Sequence, residues 1–149
     1  MTITNQRDLI MQFMQLLSLA HNCEPEIFID KEGNENRFYN GPSPDEVELV
    51  KFASTMDFKC LESTPDYIKL STLQVGKQDL VEQEYEKFLS MDFTSDRKRM
   101  SILIRDPIDG KFKLLVKGAD SIIMGRLDEK AQSSEVYKKT KWFLDTASK

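Results

Sequence analysis

Phe93, Lys98 and Lys117 are residues of the kinds that hold a base joined to phosphates: a flat apolar ring stacks on a base, and ammonium groups neutralise a chain of anions. They lie in one stretch, 93–120. Phe93 opens the run Phe93-Thr94-Ser95-Asp96-Arg97-Lys98-Arg99-Met100-Ser101, and Lys117-Gly118-Ala119-Asp120 closes the stretch. Residues 100–105 and 111–116 are short runs rich in β-branched and apolar side chains. Pro107 and Asp109-Gly110 between them supply turn chemistry, which predicts a β-hairpin. With the turn centred near Asp109-Gly110, antiparallel pairing returns Lys117 opposite Ile102 or a neighbour, at the end of the hairpin that carries Arg97, Lys98 and Arg99. In a strand Arg97 and Arg99 share a side and Lys98 takes the other, so Lys98 is the cation expected beside Phe93. Gly118 and Ala119, with little or no side chain, would let a ligand approach the backbone next to Lys117.

Each of these residues also has a plainer reading. An aromatic at the end of a strand usually belongs to a core, although the turn-like Thr94-Ser95-Asp96 places Phe93 where strand meets loop. A basic run can be a solvated sheet edge that discourages aggregation, and a Lys before Gly often just ends a strand. Ser43-Pro44-Asp45-Glu46 reads as a helix start, with Ser at the N-cap, Pro at N1 and Glu at N3 completing a capping box. Glu46 is therefore either a cap or a carboxylate free to accept a hydrogen bond from the amino group of a base.

Three segments in this order resemble a family. Ser-Pro-Asp-Glu at 43–46, Phe-x-Ser-x-Arg-Lys-Arg-Met-Ser at 93–101 and Lys-Gly-Ala-Asp at 117–120 resemble the nucleotide-binding domain of P-type ATPases, most closely the type IV branch, the phospholipid flippases. The likeness extends over most of the chain, through Ala-His-Asn-Cys-Glu-Pro-Glu at 20–26 and Thr-Pro-Asp-Tyr-Ile at 64–68. It implies that Phe93 stacks the adenine of ATP, that Glu46 meets the adenine amino group, and that Lys98, Lys117 and Gly118 lie against the base and phosphates. Asp45, Ser95, Arg99 and Ala119 complete the implied site. Arg99, Ser43 and Pro44 point to the flippase branch rather than the cation pumps. The resemblance further implies that the γ-phosphate passes to an aspartate outside this chain, and that magnesium is held by ligands outside it. The partners would be the phosphorylation, actuator and membrane domains of the same polypeptide, with an accessory subunit of the whole flippase. In the family a Gly-Leu-Arg segment would follow Lys149 and add its Arg to the site.

Composition sets the frame. At 149 residues the chain is read as one domain, 1–149, a fragment of a larger membrane ATPase by the resemblance. A charged share of 31% beside 40% apolar residues fits a soluble globular protein, and the net charge of −4 argues against a general nucleic-acid or anionic-membrane binder. Cys23 and Cys60 make neither a disulfide framework nor a metal quartet, and suit packed thiols in a reducing cytosol. There is no run of about 18 apolar residues and no signal-peptide pattern. The expected location is the cytosolic face of a membrane within the full polypeptide, with the isolated domain soluble and monomeric.

The elements that must position these residues follow from periodicity. Residues 6–20 repeat Leu9, Ile10, Phe13, Leu16, Leu17 and Ala20 at helical steps, a helix with a wide buried stripe. His21-Asn22-Cys23 is read as a helix end packed on the core, since a single His and Cys do not make a zinc site. Residues 30–36 form a solvated loop, 37–39 a short strand and 40–42 a turn. A helix follows to about residue 56, then strands at 58–62 and 67–73, a polar loop at 76–84 and a strand at 85–93. Asp120 reads as the N-cap of a helix over 121–127, and Ser133 or Ser134 as the cap of a final helix in which Val136, Trp142, Phe143 and Ala147 give apolar contacts. Trp142 is read as a core anchor. The expected fold is α+β: an antiparallel sheet of about six strands with helices mainly on one side. Two other functions remain open from sequence: the nucleotide domain of a cation pump, and a protein-interaction module that binds no nucleotide.

Overall fold

The computed structural model describes residues 6–73 and 79–147. In chain order its elements are α1 (Gln6–Leu19), β1 (Glu24–Ile29), β2 (Glu35–Asn40), α2 (Pro44–Thr55), β3 (Phe58–Ser63), β4 (Tyr67–Leu73), β5 (Leu80–Met91), β6 (Arg99–Arg105), β7 (Phe112–Gly118), α3 (Asp120–Met124), α4 (Glu129–Ser133) and α5 (Glu135–Ala147). The mixed α+β class expected from sequence holds. In place of one sheet of about six strands there is a five-stranded antiparallel meander, β3-β4-β5-β6-β7, and a separate two-stranded ribbon, β1-β2.

Partners in an antiparallel pair share a face, so register and burial together orient the sheet. Met100, Ile102 and Ile104 pair with Lys117, Leu115 and Lys113. These three β6 side chains are buried, as are Ile68, Leu70 and Tyr85 of β4 and β5. They pack with Leu19, Ala20 and Cys23 at the end of α1, with Val50 of α2, and with Tyr39 and Cys60. One face of the sheet is therefore the core, closed by α1 and α2. The last turns of α1 do this; Leu9, Ile10 and Phe13, expected in the buried stripe, are about half exposed, and Phe13 lines a cleft between α1 and the β6–β7 hairpin. Both cysteines are free and buried.

Several expectations are corrected. The strand Glu24–Ile29 was not foreseen: Pro25 and two glutamates obscure the Ile27-Phe28-Ile29 run. The turn that pairs it is clear, since the Asp30 carboxylate accepts hydrogen bonds from Glu32 N and Asn34 N at 2.9 Å each and Gly33 takes φ +84°. Residues 80–84, expected in a loop, form the first part of β5 and pair with β4; residues 76–78 of that loop lie outside the described residues. Asp120 is the first residue of α3 and not its cap; the N-cap is Ala119, and Asp120 Oδ1 accepts from Ser121 N at 2.6 Å. α3 ends at Met124, and α4 follows with Asp128 as its cap, accepting from Ala131 N at 2.6 Å. Ser134 Oγ accepts from Tyr137 N at the start of α5, as expected. α5 itself buries no residue, and Trp142, 68% exposed, is no core anchor. Among the described residues no helix is long and apolar enough to cross a membrane.

Candidate functional site

Ser43 adopts extended φ/ψ and its hydroxyl accepts from Glu46 N at 3.2 Å, with Pro44 at the first helical position. That backbone bond completes the cap and leaves the Glu46 carboxylate for another use. It meets Lys117, whose Nζ lies 3.1 Å from Oε1, and the two side chains are only 11% and 16% exposed. Lys117 is held by β7 opposite Met100, two residues from the expected partner Ile102 and still at the end of the hairpin that carries the basic run. Because Met100 faces the helices, so does Lys117, and α2 brings Glu46 to it.

Beneath this pair lies the end of α1. His21 is buried; its Nε2 donates to Ser18 O at 2.9 Å and its Nδ1 accepts from Cys23 N at 3.0 Å, which fixes the neutral tautomer. Burial, then the nearby Lys117 ammonium, push its pKa down to about 4. Burial and the Glu46 carboxylate raise the Cys23 thiol to about 11, so it is inert. The helix-end reading of residues 21–23 stands, with one addition: this end is the floor under Glu46 and Lys117. Nothing in the sequence pattern pointed to that role. Asn22 next to it donates to Asp92 Oδ1 at 2.7 Å and ties α1 to the loop that leads from β5 to β6.

That loop carries Phe93, Ser95 and Lys98. Lys98 N donates to Thr94 O at 2.7 Å, Arg97 N to Thr94 Oγ1 at 3.2 Å, and the Arg97 guanidinium to Asp92 O at 2.8 Å and Ser101 Oγ at 3.2 Å. Lys98 takes φ +50°, an uncommon left-handed conformation for a residue with a side chain. Its exposed ammonium has no hydrogen-bond or ion-pair partner among the described residues. Phe93 stands just beyond the end of β5 with its side chain 59% exposed, so it is outside the core. Ser95 and Asp45 are exposed, and Ala119 is half-buried.

Gly118 needs a different explanation from the one expected. A Cβ built on it would stand 2.4 Å from Lys98 O and 2.7 Å from Arg99 Cα. The space is filled by the neighbouring chain and is not left open for a ligand. Ala119 N donates to Lys98 O at 3.0 Å and seals the same contact. This close approach fastens the Lys98 turn to the end of β7, so the spacing of Lys98 and Lys117 is set by backbone. Arg99, the first residue of β6, lies on the opposite face of the sheet from Lys117. The strand expected through 97–99 does not form, since Arg97 lies in the turn before β6, and it reaches that face only through its guanidinium, which donates to Ser101 Oγ. Desolvation and the neighbouring guanidinium groups of Arg126 and Arg97 lower the pKa of Arg99. Arg126 was not singled out from sequence, where a lone Arg after a short helix carries no signal.

The structure thus gathers Glu46, Lys98, Lys117 and Gly118 at one end of the sheet, with Phe93 on the same loop as Lys98, and puts Arg99 on the other face. Two clefts lie elsewhere. One of about 520 Å³ is lined by acidic residues including Asp66, Glu84 and Glu86, and one of about 940 Å³ lies between α1 and the β6–β7 hairpin. Among the described residues no group of three His, Cys, Asp or Glu side chains is placed to hold a metal ion.

Residues 9–140 match the family described as P-type ATPase, cytoplasmic domain N. The chain is 43% identical over 119 residues to a phospholipid-transporting ATPase of Schizosaccharomyces pombe, covering 80% of this chain and 9% of that protein. It is 40% identical over 118 residues to phospholipid-transporting ATPase IC of Xenopus tropicalis, covering 79% and 8%, and 35% identical over 128 residues to probable phospholipid-transporting ATPase 12 of Arabidopsis thaliana, covering 86% and 10%. It spans about a tenth of the length of these curated relatives. With most of its length matched, the chain belongs to the family of P-type ATPase cytoplasmic N domains.

Proposed function

We propose that this chain is the ATP-binding domain of a phospholipid-translocating P-type ATPase. The observation that carries the reading is the convergence of distant motif residues: α2 supplies Glu46, the β5–β6 loop supplies Phe93 and Lys98, and β7 supplies Lys117. The adenine stacks on the exposed ring of Phe93, its amino group donates to Glu46, and the ammonium groups of Lys98 and Lys117 compensate the phosphates. The residues present suit such a ligand, because the Lys98 ammonium is exposed and Lys117 has a single carboxylate partner that adenine can compete for. Bound ATP supplies the phosphoryl group, and this chain orients it toward an aspartate elsewhere in the polypeptide. No carboxylate cluster among the described residues is placed to hold magnesium, whose ligands this reading puts elsewhere in the polypeptide. The branch reading is supported by relatives named phospholipid-transporting ATPases, and in it the domain works on the cytosolic side with the phosphorylation, actuator and membrane domains of the same polypeptide. Amide NMR during an ATP titration tests the binding: shifts clustered at 43–49, 93–102 and 116–121 support it. Shifts produced equally by inorganic triphosphate and absent with adenosine point instead to a bare basic patch.

A further inference from the structure

In the proposed nucleotide site Phe93 and Glu46 hold opposite parts of one base, yet they reach it from different layers of the fold. Phe93 stands on the β5–β6 loop and Glu46 on α2. Their spacing decides whether a base stacked on Phe93 also presents its amino group to Glu46. The close approach of Gly118 fixes Lys98 against β7 and leaves this spacing unset. Within the loop, Lys98 N and Arg97 N donate to Thr94, and the Arg97 guanidinium holds Asp92 O and Ser101 Oγ, so these bonds join the loop to itself and to β6. A further bond crosses to the helical layer. Asn22 Nδ2 donates to Asp92 Oδ1 at 2.7 Å across 70 residues of sequence, one residue before Phe93.

Asn22 is a rigid anchor for that bond. Its side chain is exposed, but His21 and Cys23 on either side of it are buried. His21 Nε2 donates to Ser18 O and Cys23 N donates to His21 Nδ1, which fixes the backbone around Asn22. The same segment is locked to the start of α2: a Cβ built on Gly41 would stand 2.5 Å from Cys23 Sγ and 3.0 Å from Cγ2 of Val47, the residue after Glu46. The path from Glu46 to Phe93 therefore runs through packed backbone as far as Asn22 and through one hydrogen bond beyond it. An ionised carboxylate only accepts, so the amide nitrogen of Asn22 is the atom that faces Asp92.

We propose that Asn22 is a positioning residue for base selection: its hydrogen bond to Asp92 sets the gap between the Phe93 ring and the Glu46 carboxylate, and so lets the site prefer a purine that carries an amino group. The inference rests on the ATP-binding function proposed above. Stacking on Phe93 accepts any base, since every base has a π face. Discrimination comes from Glu46, which accepts a hydrogen bond from the adenine amino group and faces an oxygen when inosine takes its place. A base can satisfy both contacts only when ring and carboxylate are held at the right separation, and the Asn22–Asp92 bond is what holds them. Loss of the bond frees Phe93 to stack without bringing the amino group to Glu46.

The test titrates the 149-residue chain and its variants with ATP, inosine triphosphate and inorganic triphosphate, following amide shifts. Asn22→Ala should weaken ATP by about two- to tenfold, the worth of one hydrogen bond, weaken inosine triphosphate less and leave inorganic triphosphate unchanged. Asn22→Asp sets two carboxylates face to face and should weaken ATP further. The swap Asn22→Asp/Asp92→Asn restores the bond with donor and acceptor exchanged, and should regain the preference for ATP. Unfolding midpoints of all four chains should lie close together, because the bond is exposed. A preference for ATP over inosine triphosphate that is unchanged in Asn22→Ala, whether both weaken equally or neither does, overturns the inference, and so does a swap that binds like Asn22→Asp alone. In both cases ATP binding by the parent chain keeps the nucleotide function standing. A parent chain that binds neither nucleotide removes that function, and this inference with it.

Discussion

Lys117 Nζ stands 3.1 Å from Glu46 Oε1 across 71 residues of sequence, and both side chains are mostly withdrawn from water. The pair joins α2 to the end of β7 and so couples the helical layer to the hairpin that carries the basic run. An ion pair this shielded is sensitive to the loss of one partner, since the remaining charge stays desolvated.

Lys117→Met should therefore destabilise the fold by roughly 1–3 kcal/mol, less than the full cost of a broken buried pair because some water reaches the site. Glu46→Gln should cost less, as it keeps a polar partner for Lys117 and leaves the Ser43 cap intact. The double variant should recover part of the loss, with a coupling on the order of 1 kcal/mol in urea unfolding. Strict additivity would mean that the pair does not form in solution.

Gly118→Ala should cost roughly 1–3 kcal/mol despite its small size. The added methyl meets the Lys98 carbonyl and the Arg99 backbone, which cannot rotate away as a side chain would. Amide shifts should spread from Gly118 to residues 97–100. An unchanged unfolding midpoint would show that the two segments are not in contact.

These two relationships mark what the sequence could disclose. The strand expected through Arg97 and Lys98 gives way to a turn with Lys98 at φ +50°, whereas the β6–β7 hairpin and the Ser43 cap were legible because each follows from local spacing and turn chemistry. The Glu46–Lys117 contact, the packing of Gly118 on Lys98 and the floor formed by His21 and Cys23 were not, since they join segments remote in sequence and leave no periodic trace. α5 shows the converse. Its apolar stripe was legible, but a stripe states only that something should cover it, and none of its residues is buried.

Acid should weaken the fold through His21. Its pKa lies near 4 in the folded chain against an ordinary 6.5, so between those values the unfolded chain binds the extra proton. Stability is then fully present above about pH 6.5 and is lost as pH falls toward 4, by on the order of 3 kcal/mol. Urea midpoints should drop steeply between pH 6.5 and 4.5. His21→Gln should flatten that part of the profile, and an identical slope in the variant would assign the acid sensitivity to the carboxylates.

Nucleotide affinity should be weak and divided between ring and charge. One stacked base and two partly solvated ammonium contacts correspond to roughly 4–5 kcal/mol, a dissociation constant on the order of 0.1 to several mM. Phe93→Ala removes a stack of about 1–3 kcal/mol and should weaken ATP about tenfold or more while leaving the unfolding midpoint nearly unchanged, because the ring is 59% exposed. Lys117→Ala should weaken ATP more than adenosine and also lower stability, since it breaks the pair with Glu46. Lys98→Ala should weaken ATP alone, as its ammonium has no partner among the described residues. If Phe93→Ala binds ATP like the parent chain while Lys98→Ala does not, the loop is an anion site and the adenine reading fails. If ATP at 10 mM, roughly twice the weakest constant expected, moves no amide near residues 93–102, the motif residues serve the fold alone.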